Sequence, residues 1–278
     1  MLSEIITLAD KLKVKIYKWG NHQKQTIVLL HGLGSTGISF DELARMLSEE
    51  FRVIALDLPG HGGSSLINDN GDISVDYLTE WLKKVIEHYG LNNLHIAGHS
   101  IGGYIGLAYA KKHSLNSLIL LDGGYIRASH MPENSLREEL MKVEQHISNY
   151  RFSSWEDYEN ELVDAGLSNS LIRLSKQSMK ENNGQVELIV SSNTAKELVK
   201  CTFYEPSDDT LSGIEIPVLL LKSTIPEEFN LVRNNEIHRL KQYMNLNVID
   251  VEGVSHDLYW EAPKYICDQM NKWVINHK

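Results

Sequence analysis

The chain has 278 residues, enough for one large domain or one domain with an insertion, and its apolar content of 42% is that of a protein with a substantial core. A formal net charge of −10 argues against nucleic acid or an anionic membrane as the main partner, since either calls for a concentrated basic face. Two distant cysteines, Cys201 and Cys267, suggest neither a disulfide framework nor a zinc site; with acids around the short N-terminal apolar run and no run of membrane-spanning length, the expected location is the cytoplasm.

In chain order, Lys13 to Trp19 alternates Val14 and Ile16 against polar neighbours, the pattern of a half-exposed antiparallel strand near a sheet edge. Thr26 to Leu30 is continuously apolar or β-branched, as in a strand buried on both faces, and leaves through the glycine-rich His31-Gly32-Leu33-Gly34-Ser35. A helix over Asp41 to Glu50 and a second buried strand over Phe51 to Asp57 follow. That strand exits through Leu58-Pro59-Gly60-His61-Gly62-Gly63-Ser64, a loop by its density of breakers. Ser74 is placed to cap a helix running to Tyr89, with Leu78, Trp81, Leu82, Val85 and Ile86 on one stripe.

The stretch Asn93 to Gly103 then reads as strand, sharp turn and helix, with Gly98-His99-Ser100-Ile101-Gly102 at the turn. The flanking glycines suit a serine in a strained conformation, where a Cβ at either would collide with its neighbours. Ser117 to Asp122 is a further buried strand. From Gly123 to about Ser212 the strand rhythm stops, and helical segments are expected over Asn134 to Tyr150, Ser154 to Ala165, Asn169 to Met179 and Thr194 to Cys201. The α/β alternation resumes with a strand over Ile216 to Leu221, a helix over Asn230 to Met244, a strand over Asn247 to Val251 and a helix over Glu261 to His277. A helical insertion therefore interrupts one α/β core.

A serine hydroxyl is a poor nucleophile until a base lies within hydrogen-bond reach, a carboxylate orients that base, and donors await the oxyanion. Ser100 is the nucleophile candidate. His256 is the best-placed base among 12 histidines, on the loop after the last strand, because reactive groups of an open parallel sheet gather at the strands' carboxyl ends. His31 and His61 sit in tight glycine loops that suit holding backbone groups near the site better than binding metal.

These motifs together resemble the α/β-hydrolase superfamily over residues 13 to 276. His31-Gly32 is similar to its oxyanion segment, Asp57 to Ser64 to the loop after its next strand, Gly98 to Gly103 to its nucleophile elbow, and Gly253-Val254-Ser255-His256 to its histidine loop. The resemblance implies an α/β fold with a mostly parallel sheet, a core of residues 1–124 and 213–278, and a helical cap, residues 125–212, between core strands six and seven. It also implies oxyanion donors from the backbone of Leu33 and Ile101 and a triad without cofactor or metal. His31, Gly32 and His99 beside the elbow, with Tyr125 and Trp155 from the insertion's aromatic supply, are the candidate substrate contacts, the aromatics serving equally well as the insertion's own small core.

The chain departs from the family at the acid. Most relatives carry an aspartate about nine residues past the proline opening strand seven, and counting from Pro217 reaches Pro226, with Ser223 where a glycine would stand. Glu227, the next residue, is the expected acid, with Asp122 at the end of strand six and Glu228 as rivals. The expected activity is hydrolysis of an ester, lactone or similar small uncharged acyl compound. Carbon–carbon cleavage or a lyase-like reaction by the same triad, and a receptor-like binder of a small ligand, are the alternatives; oligomeric state is left open.

Overall fold

The computed structural model describes residues 1–66 and 73–277. Its strands are β1 (Leu2–Thr7), β2 (Lys13–Trp19), β3 (Thr26–Leu30), β4 (Arg52–Leu56), β5 (Leu94–His99), β6 (Ser117–Leu121), β7 (Arg151–Phe152), β8 (Met179–Asn182), β9 (Gln185–Leu188), β10 (Val218–Ser223) and β11 (Leu246–Val251). Eight of them form one sheet in the order β1-β2-β4-β3-β5-β6-β10-β11, antiparallel at β1–β2 and β2–β4 and parallel from β4 onward.

The continuous apolar strands are explained by two helical layers. Successive side chains of a strand point to opposite faces. Val28 and Leu30 pack on one face with Leu78, Trp81, Leu82 and Ile105, while Ile27 and Leu29 pack on the other with Leu43, Leu47, Ile266 and Met270. A strand with helices on both sides has no wet face and hence no polar alternation.

Register aligns the reactive ends. Leu30 pairs with Gly98, His99 with Leu121, Leu121 with Leu221, and Ser223 with Val251. The residues that follow these strands, among them His31, Ser100, Asp122 and the loop carrying His256, therefore leave the sheet along one edge.

β2 is antiparallel and second from the sheet edge, as expected, but the edge itself is taken by β1, a strand not foreseen because only Ile6 of its six residues is buried. Contrary to expectation, the insertion over residues 125–212 is not purely helical. Beside the helices Leu136–Asn149, Trp155–Asp164, Asn169–Ser175, Ser192–Thr202 and Asp208–Ser212, it holds a three-stranded sheet ordered β7-β9-β8. The β8–β9 hairpin turns at Asn183 and Gly184, both at positive φ (50° and 75°), a pair that suits a tight hairpin turn. This insertion has its own small core of Ile147, Tyr158, Met179, Val186, Leu188 and Ala195.

Candidate active site

Ser100 stands between β5 and the helix Ile101–Lys112 at φ 52° and ψ −119°, a conformation costly for any residue with a Cβ. Its neighbours make the turn possible by lacking one. A Cβ on Gly98 would lie 2.3 Å from the Gly102 carbonyl oxygen, and one on Gly102 would lie 2.3 Å from that of Leu30. The small residues of the motif are thus a packing requirement set by β3 and the helix.

His256 reaches the same point from the loop after β11. Its Nδ1 lies 2.9 Å from Asp122 Oδ2, so the ring donates Nδ1–H to the carboxylate and leaves Nε2 for proton exchange. Asp122 is buried at the end of β6, and it accepts further bonds from the Ser223 backbone N–H (3.0 Å), the Ser223 hydroxyl (2.7 Å) and the Tyr125 hydroxyl (3.0 Å). Burial pushes the Asp122 carboxyl up, but the hydrogen bonds and charge of His256 and the bonds from Ser223 outweigh it, and its pKa is lowered. Burial likewise pushes His256 down, and the Asp122 bond and charge outweigh it, so its pKa is raised.

The carboxylate on the imidazole is therefore Asp122, and the expectation of Glu227 is corrected. Glu227 and Glu228 lie in the short turn Glu227–Phe229, both exposed to solvent, and neither is among the hydrogen-bond partners of His256. Ser223 ends β10, and both its backbone N–H and its hydroxyl serve Asp122. Behind it, Arg233 is buried, and its Nη2 donates to Ser223 Oγ at 3.0 Å. An Oγ that accepts from a guanidinium has its single proton free for Asp122. Neither Arg233 nor the hydroxyl of Tyr125 was legible as a partner of the acid. The signal available was the missing strand-seven acid beside Ser223 and Asp122, two polar residues at adjacent strand ends.

Three other histidines near the site, His31, His61 and His99, act as neutral struts. His31 is fully buried, with Nε2 accepting from the Leu58 N–H (2.9 Å) and Nδ1 donating to the Gly32 carbonyl (2.7 Å). His61 accepts from the Gly34 N–H (3.2 Å) and donates to the Pro59 carbonyl (3.1 Å). Burial drives both below the ordinary value, His61 to about 4. His99 donates Nε2–H to the His256 carbonyl oxygen (2.9 Å), tying the elbow to the histidine loop, and burial takes it down to about 3. The loop is also held by Glu261, which accepts from the Ser255 N–H and hydroxyl. The backbone of Leu33 follows Gly32, whose Cα lies so close to the elbow that an added Cβ would stand 3.1 Å from Ser100 Cβ. Ile101 opens its helix, where a backbone N–H has no partner within the helix.

Two cavities meet at Ser100 and His256. One, of about 540 Å³, is lined by Tyr125, Ile126, Met131 and Phe229 among others; the second, of about 450 Å³, lies between the elbow and the insertion and is lined by Gly32, Leu33, His99, Tyr150 and Tyr158 among others. Gly32, His99 and Tyr125 thus reach a cavity wall. His31 and Trp155 do not, so they are not placed as substrate contacts, and the alternative readings, a holder of backbone groups for His31 and the insertion's own core for Trp155, describe them. His31 spends both ring nitrogens on backbone, and Trp155 packs on the insertion's own core with the Lys176 Nζ 4.9 Å from its ring centroid.

The family model described as alpha/beta hydrolase fold matches residues 25–263. A probable serine hydrolase of Drosophila melanogaster is 33% identical over 97 residues, which cover 33% of this chain and 28% of that relative. The (E)-2-((N-methylformamido)methylene)succinate hydrolase of Acinetobacter baylyi is 21% identical over 276 residues, 99% of this chain and 98% of its own. Among solved structures, an E-2-(acetamidomethylene)succinate hydrolase superposes with a TM-score of 0.76 at 18% identity, covering 98% of each chain, a likeness of fold. With an eight-stranded, mostly parallel sheet, a strained serine at the end of its fifth strand and a family match over most of its length, the chain belongs to the α/β-hydrolase family.

Proposed function

We propose that the protein is a serine hydrolase of carboxylic esters or lactones whose triad is Ser100, His256 and Asp122. The observation that carries this reading is the His256–Asp122 hydrogen bond beside a serine held at positive φ, where two cavities meet. Ser100 Oγ attacks the carbonyl carbon while His256 Nε2 takes its proton, and the Leu33 and Ile101 backbone N–H groups receive the oxyanion. Collapse of the tetrahedral adduct breaks the bond to the alcohol, which leaves with the proton from Nε2. Water then attacks the acyl-enzyme, gives its proton to Nε2, and the acid departs as that proton returns to Ser100 Oγ. Asp122 stays ionised throughout and holds the ring in the reactive tautomer. Residues 125–212 serve as the cap over the substrate.

The uncharged character of the substrate is supported by the walls. Among the described residues no lysine lines either cavity, and the one arginine there, Arg233, has its terminal nitrogens engaged by Ser223 Oγ, Asn230 Oδ1 and the carbonyls of Ile225 and Pro226. A dicarboxylate like the succinates in the names of two similar proteins would find no free lysine or arginine there among the described residues. The test is a fluorophosphonate probe with p-nitrophenyl esters on the purified protein. Stoichiometric labelling that vanishes in Ser100→Ala, with turnover lost by several orders of magnitude, is expected. Labelling that persists in Ser100→Ala would remove the nucleophile assignment.

A further inference from the structure

The two cavities differ in what they offer a substrate, and the difference specifies its two halves. In the larger one the polar groups of the wall are already used within the protein. The Tyr104 hydroxyl donates to the Ile126 carbonyl, that of Tyr125 to Asp122, and that of Ser255 to Glu261; the terminal nitrogens of Arg233 are engaged as above, and its Nε, which has no partner, is buried out of reach of the space. What faces the space is Ile126, Ala128, Met131, Ile225, Pro226 and Phe229. The smaller cavity carries the side-chain hydroxyls of Ser35, Tyr150, Tyr158 and Ser175 between leucines; those of Ser39 and Ser178 are bonded to the Tyr259 hydroxyl and the Ser175 carbonyl but keep lone pairs that can accept, and the cavity's carboxylate, Asp257, disfavours an anion.

We propose that the substrate is an uncharged ester joining an apolar acyl chain or ring, seated in the larger cavity, to a neutral polyhydroxylated alcohol, seated in the hydroxyl-lined one; glycerol and sugar esters are the chemical class. This deepens the esterase reading and rests on it. The direction of seating follows from the second half of the reaction. After the alcohol leaves, water must stand where it stood, beside His256, and a bound water needs several polar partners. The apolar cavity has none to spare, so it keeps the acyl group, and the hydroxyl-lined cavity passes first the alcohol and then the water.

The experiment compares kcat/KM for monoacylglycerols from butanoyl to dodecanoyl, methyl esters of the same acids, and monomethyl esters of dicarboxylic acids. Each methylene is expected to raise kcat/KM about fourfold until the cavity is full, the equivalent of about 0.8 kcal/mol per buried methylene. Glyceryl esters should exceed methyl esters about tenfold, and dicarboxylate monoesters should fall about a thousandfold below neutral esters of equal length. Ile126→Trp should move the optimum to shorter chains with the glyceryl preference intact. Tyr150→Phe should erode that preference with the chain-length optimum intact. A flat chain-length profile, equal rates on glyceryl and methyl esters, fast turnover of the charged monoesters, or variants that move the opposite preference would each overturn the proposal. Absence of both labelling and hydrolysis removes the esterase reading itself, whereas labelling and turnover with the wrong preferences remove only this assignment of the two cavities.

Discussion

Asp122 accepts four hydrogen bonds, from His256, the Ser223 N–H, the Ser223 hydroxyl and the Tyr125 hydroxyl, and they do different work. The bond from His256 fixes the tautomer, so Asp122→Asn should lower kcat by up to about 10⁴, while Glu227→Gln and Glu228→Gln stay near wild type, all read by ester turnover. The bonds from Ser223 hold the carboxylate ionised and aimed. Ser223→Ala should cost about tenfold in kcat, the scale of one hydrogen bond to a charged group. Because the Asp122 bond and charge raise the His256 pKa above its ordinary 6.5, kcat/KM should fall as pH drops through a value above 6.5. The acid limb of Asp122→Asn should move to lower pH, where a stability defect alone would leave it in place.

The insertion joins to the core chain between β6 and β10, yet carries its own sheet and cluster of side chains. Val186 of β9 is almost fully buried in that cluster, and Val186→Ala removes contacts without touching the eight-stranded sheet. Amide exchange in residues 136–202 should accelerate while exchange in β3, β5 and β6 stays as in the wild type. This division also marks what the sequence made legible. The core strands stood out because both their faces are covered, and the elbow because its glycines follow from close approach. β1 escaped notice because its apolar residues are mostly exposed, and the β8–β9 hairpin because its strands are four residues each, although Asn183-Gly184 marks the turn. The acid was misassigned because its place depends on Leu121 pairing with Leu221, which puts the end of β6 beside Ser223. That is a register between strands a hundred residues apart, and local spacing does not carry it.

Across the whole molecule, burial keeps four histidines, His31, His61, His95 and His99, well below their ordinary pKa, with His61 and His95 at about 4 and His99 at about 3. Below pH 6.5 the unfolded chain protonates these groups and the folded chain does not, so stability falls with pH, by up to about 1.4 kcal/mol per pH unit for each. Asp57 has the opposite sign: burial raises it to about 6, the folded state takes its proton first, and it offsets one of the four. His256, also raised, contributes stability that is present below 6.5 and lost as pH rises through its folded value. Thermal unfolding across a pH series should therefore show the melting temperature dropping steeply between pH 6.5 and about 4. One feature of the elbow sets a different limit on stability. Ser100 at φ 52° costs about 1 to 3 kcal/mol, and glycine alone escapes that cost, at an entropic penalty of about 0.5 to 1 kcal/mol. Ser100→Gly should melt a few degrees above the wild type, while Ser100→Ala, equally without a hydroxyl but still carrying a Cβ, should show no such gain. In an evolving population, heat would then favour the inert glycine form over the working enzyme, and only demand for turnover would keep the serine in place.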